Sequence, residues 1–261
     1  FVSPDVLIKP TCGLRSLSPP SISRPQGRNP QIKPQMATFN NTITGTGDSL
    51  FGTQVNQVVQ GTDDPQLMGS KFDNSCVIGA GGNDTITAVA PVSSLSGVGI
   101  GTTYTGNSGN DSFNFSDYAL TSVTVDTGAD ADTLVVKSSA TSSSFKTGQG
   151  ADSVHIDGAL LNSAIETGAD ADTVRILGSV LQASVALGSG ADSLAISGTV
   201  TGSLIQGRAD GDIFVFNETV LSSTVLGNDN AEGTGDGNDT ILARRGVTSS
   251  SLQGSVGSDY I

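Results

Sequence analysis

The residues of this chain that could do chemistry are its aspartates, because they recur in register. A Gly-x-Gly/Asp-x-Asp-x-apolar pattern places one at Asp84, Asp111, Asp132, Asp152, Asp172, Asp192, Asp212, Asp239 and Asp259. The successive gaps are 27, 21, 20, 20, 20, 20, 27 and 20. Two residues earlier, a second position alternates Asp130, Gly150, Asp170, Gly190, Asp210. Carboxylates in a regular row are hard oxygen donors, which suit calcium better than zinc or copper. Left unneutralised, carboxylates stacked about 5 Å apart repel by roughly 1–3 kcal/mol per neighbouring pair. A plainer role is also open. Asp caps turns by accepting backbone N–H bonds, and the same column of a metal-free protein would still hold Asp, Asn or Ser.

A row of this kind needs a scaffold that repeats with it. Five units align without gaps, at 127–146, 147–166, 167–186, 187–206 and 207–226. Their eighth residues are Leu134, Val154, Val174, Leu194 and Phe214, and their tenth are Val136, Ile156, Ile176, Ile196 and Phe216. The fourteenth (Ala140, Leu160, Val180, Val200, Val220) and the nineteenth (Phe145, Ile165, Val185, Ile205, Val225) are apolar as well. Apolar positions two apart around a variable one mark a strand with one buried face. A single 20-residue unit cannot bury that face alone, whereas a stack of units makes one continuous core. The sequence therefore predicts an all-β fold, a right-handed parallel β-solenoid of stacked coils, each with two or three short strands. The seven extra residues of each long gap are expected in loops around 91–104 and 228–234.

Composition agrees. Aspartate outnumbers glutamate 22 to 3, and 34 glycines accompany no tryptophan, a bias toward turns and against helices. Residues 1–35 differ from the rest: they hold seven of the nine prolines and five bases against one acid. They read as a disordered Pro/Ser/Arg-rich segment, and Met36 is a candidate natural start. Residues 36–261 form the repeat array, with 24 acids against seven bases. Such an acidic array is expected to attract cations and repel nucleic acid. No stretch approaches the ~20 apolar residues that cross a bilayer. The distant pair Cys12 and Cys76 suggests neither a disulfide framework nor a zinc site.

Three turns carry a more specific signal. Gly79–Ile86 reads Gly-Ala-Gly-Gly-Asn-Asp-Thr-Ile, Gly106–Phe113 reads Gly-Asn-Ser-Gly-Asn-Asp-Ser-Phe, and Thr234–Ile241 reads Thr-Gly-Asp-Gly-Asn-Asp-Thr-Ile. These resemble the hemolysin-type (RTX) calcium-binding nonapeptide of secreted bacterial proteins, over roughly residues 79–261, with a weaker copy at Gly45–Leu50. The resemblance implies calcium held between Gly/Asp turns. Its ligands here would be Asp84, Asp111, Asp130, Asp132, Asp152, Asp170, Asp172, Asp192, Asp210, Asp212, Asp239 and Asp259, with Ca2+ coupled to folding. It also implies an extracellular or cell-surface location reached by type I-like export. The period departs from the family's nine, so calcium should line one edge only. The other half of each coil reads apolar-x-x-Ser-x-apolar, as in Val200–Ile205.

Other readings are a metal-independent structural or adhesin solenoid, a β-helical polysaccharide-active enzyme, and an ice-binding Ser/Thr ladder. The chain holds no phosphate loop, dinucleotide fingerprint or nucleophile–base pair, and its sole histidine, His155, sits in a variable strand column, so no enzyme is expected. The expected partners are calcium ions and a cell-surface or extracellular polysaccharide or protein, with no nucleic acid and no membrane span. The last residues, Gly257–Ile261, stop inside a motif, from which a longer array is expected.

Overall fold

A computed structural model describes residues 49–51, 58–60, 76–81, 85–89, 101, 103–116, 119–228 and 237–261. Each full coil has three short strands, as in Thr124–Ala129, Thr133–Val136 and Ala140–Thr141. Corresponding strands of successive coils pair in parallel, building three sheets of ten, nine and seven strands. The register is one unit per rung: Ser153 faces Thr133 and Thr173, and Phe145 faces Val125 and Ile165. The protein is a β-solenoid.

The core follows from the apolar columns. All twenty residues of the eighth, tenth, fourteenth and nineteenth columns are buried, none more than 2% exposed. β-Branched and aromatic side chains at alternate positions pack rung on rung, and each such side chain contributes on the order of 1.5–3 kcal/mol by leaving water. Tyr104 and Phe115 close an earlier coil edge to face, with ring centroids 4.9 Å apart.

Of the first expected loop, around 91–104, only Gly101, Thr103 and Tyr104 are among the described residues. Thr103 and Tyr104 belong to the strand Thr103–Ser108, and Tyr104 is core. Two of the three irregular intervals, Asp111 to Asp132 and Asp212 to Asp239, leave the sheets unbroken: Leu134 still pairs with Phe113, and Ile241 with Phe214. The extra residues fall between strands in the sequence, so no rung is lost. Residues 1–35, Met36, Asp84 and residues 229–236 lie outside the described residues, as does most of the weak copy at Gly45–Leu50.

Candidate functional site

The aspartate column forms a corner between the first and second sheets, and its carboxylates point into the solenoid. Asp111, Asp132, Asp152, Asp172, Asp192, Asp212 and Asp239 are each at most 3% exposed. Along the column, Oδ1 serves the neighbouring coil. The Asp111 N–H donates to Asp132 Oδ1 (2.7 Å), Asp132 to Asp152 (2.7 Å), Asp152 to Asp172 (2.8 Å) and Asp172 to Asp192 (2.7 Å). The ladder continues from Asp192 to Asp212 (2.9 Å), to Asp239 (2.8 Å) and to Asp259 (2.9 Å). Each aspartate thus satisfies a turn N–H that no strand pairing reaches, on the adjacent coil rather than on its own.

The second carboxylate oxygen is the uncompensated one. Oδ2 of Asp132, Asp152, Asp172, Asp192 and Asp212 is buried and receives no hydrogen bond. The hydroxyls of Thr127, Thr147 and Thr167 lie beside Asp132, Asp152 and Asp172 and lower their pKa values. Each of these hydroxyls has one proton, and it goes to a carbonyl of the next coil, Thr127 to Thr147 (3.1 Å) and Thr147 to Thr167 (3.0 Å). Asp192 and Asp212 lack even that neighbour, because Leu187 and Gly207 occupy the column. A Cβ on Gly207 would fall on Asp212 Oδ2, so the glycine makes room for the carboxylate.

Burial without a donor disfavours the charged form. Desolvation pushes Asp132 and Asp172 up to about 7, Asp192 to about 6 and Asp212 to about 8, and raises Asp152. Backbone hydrogen bonds to each pull the other way, and like charges on neighbouring aspartates add to the rise.

The alternating column does something different. Asp130, Asp170 and Asp210 are exposed, with φ of 78°, 76° and 70°. Each accepts an N–H from the preceding coil through Oδ2: Gly109 (3.0 Å), Gly150 (3.2 Å) and Gly190 (3.1 Å). Gly150 and Gly190 sit at φ 113° and 125°, where a Cβ would strike the carbonyl of Asp130 or Asp170. The alternation therefore has a steric cause: the carbonyls of Asp130 and Asp170 each need a glycine above them, and the N–H of that glycine is capped by the next aspartate.

Among the described residues, no three His, Cys, Asp or Glu side chains converge as a group able to hold a metal ion. The two acidic columns face opposite ways, one inward and one to solvent. Charge is redistributed too. Of fifteen acids among the described residues seven are interior, leaving eight outside against six Lys and Arg.

The third corner holds a ladder to which the turn motif assigns no role. Val123, Ser143, Ala183, Ser203 and Ser223 donate their N–H to Ser143, Ser163, Ser203, Ser223 and Ser250 Oγ, at 2.9 to 3.2 Å. Each hydroxyl then donates to the carbonyl two residues before it, as Ser163 does to Leu161 (2.8 Å). His155 lies outward on the second sheet, with Nε2 2.6 Å from Asp157 Oδ1.

Comparison with known proteins finds no matching family model, curated protein or solved structure.

Proposed function

We propose that this chain is a structural rod, a stiff three-sided spacer whose coils are locked together at their corners without metal. The observation that carries this reading is the unbroken aspartate ladder, whose carboxylates are already engaged with backbone N–H groups inside the fold. The serine ladder supports it, since the same device operates there with a neutral acceptor. Circular dichroism in excess chelator at pH 6 tests it, and a full strand signal is expected.

A second reading keeps calcium on the aspartate edge, favoured by the buried, donorless Oδ2 atoms of Asp192 and Asp212. A cation answers an orphaned carboxylate oxygen as well as a proton does. Exposed Asp210 lies close enough to raise both pKa values and would supply a third carboxylate. If strand signal is lost in chelator and restored by calcium, but not by magnesium or by acidification, the metal-free reading is overturned. The resemblance to secreted repeats supports placing either rod outside the cell.

A further inference from the structure

Beyond a spacer role, we infer that the outer face of the second sheet around Arg175 binds an acidic polysaccharide. His155 and Arg175 are register partners on adjacent coils, and Lys137 and Asp157 occupy the residue just beyond the strand end on two coils of the same stack. Asp157 spends its carboxylate on two of the three basic residues: Oδ1 lies 2.6 Å from His155 Nε2 and Oδ2 3.2 Å from Lys137 Nζ. Arg175 is exposed and forms no ion pair with any described residue. One lysine and one arginine against one aspartate leave the patch positive even with His155 neutral.

The surroundings define what fits. Outward strand positions of this sheet from Ser112 to Phe216 carry no other charge, only hydroxyl, amide and apolar groups. Thr133, Ser153 and Thr173 form a row beside the cations at one-rung spacing, about 4.8 Å. A guanidinium fork takes a carboxylate or sulfate ester in two parallel hydrogen bonds, and a row of hydroxyls suits the hydroxyls of a sugar chain lying along the rod. A densely charged polyanion fits less well, because the corner beside the patch presents Asp130 and Asp170 to solvent and their field repels it. The ligand class is a glycan bearing one carboxylate or sulfate per few sugars.

The test is titration of the full chain at low ionic strength with a galacturonate oligomer, a sulfated galactan oligomer, neutral dextran and single-stranded DNA. Binding of at least one acidic glycan in preference to dextran and DNA is expected, the two acidic probes distinguishing carboxylate from sulfate. Arg175→Ala should weaken it about tenfold or more and Arg175→Lys less, with circular dichroism unchanged. Equal affinity for dextran, preference for DNA, no binding at all, or an Arg175→Ala protein that binds as well as the parent would each overturn the inference.

Discussion

Two corners of one coil perform the same task with different atoms. At the serine corner a hydroxyl accepts the N–H of the preceding coil and passes its own proton to a carbonyl two residues back, so no polar atom is left over. At the aspartate corner Oδ1 accepts an equivalent N–H, but Oδ2 remains, buried and able to carry charge. Hydrogen bonding alone does not call for a carboxylate, since serine or asparagine would serve. The aspartate corner therefore costs more than its task requires in the charged state. It is the part of the solenoid whose stability should follow pH, while the serine corner carries no titratable group.

The largest expected effect of that difference is on pH dependence. The folded carboxyls lie at about 7 for Asp132 and Asp172, about 6 for Asp192 and about 8 for Asp212, above the ordinary 3.8. Raised values mean that the fold holds protons the unfolded chain releases. The stability they bring is complete below pH ~4 and is lost as pH rises through about 6 to 8. Moving one carboxyl from about 4 to about 7 corresponds to about 4 kcal/mol, so urea midpoints measured at pH 5, 7 and 9 should fall steeply. Asp157 is held low by hydrogen bonds from Lys137 and His155 despite some desolvation, and Glu166 by Lys146 and Arg208. Both are solvent-accessible and oppose the trend only weakly, in acid. A midpoint that is level or rises between pH 5 and 9 would mean that the ladder is charged and compensated throughout.

Next in size is Asp172→Ala at pH 5, which strips the Asp152 N–H of its acceptor. A loss of about 1–3 kcal/mol in unfolding free energy is expected, shrinking at pH 8, where the parent itself is weakened. Asp172→Asn keeps an acceptor and removes the ionisable proton. It should be near neutral at pH 5 and stabilising by about 3 kcal/mol at pH 8, the share of the carboxyl's pH-linked loss that falls between pH 5 and its folded pKa of about 7. The reverse order across pH would remove the contrast between the corners. The smallest effect belongs to the other corner: Ser203→Ala leaves the Ala183 N–H without its hydroxyl acceptor, at a cost of about 1 kcal/mol that does not vary with pH. The chain already tolerates alanine there, at Ala183, and Ala183→Ser should recover a few tenths of that in the same assay.

Much of the fold is legible in the sequence, and the reasons are local. Apolar residues two apart around a variable one report which side of each strand faces in. The fixed period reports that strands stack in parallel, and all four apolar columns are interior. The turn motif by itself does not say which way the aspartates point, although a signal is present. Position six lies two residues before the buried eighth, so strand parity already places it inside; the motif and its glycines suggest an edge site instead. The serines are visible as a column, with nothing in their type to distinguish a ladder from a solvated turn.

The sequence by itself determined the period, the columns and the core, because burial of alternate apolar side chains is decided within each coil and repeated. Only the tertiary structure decided what the polar columns do. Their partners are N–H groups one full coil away along the chain, brought within hydrogen-bond reach by stacking. The left-handed backbone of Asp130, Asp170 and Asp210 sends neighbouring carboxylates to opposite sides of one turn.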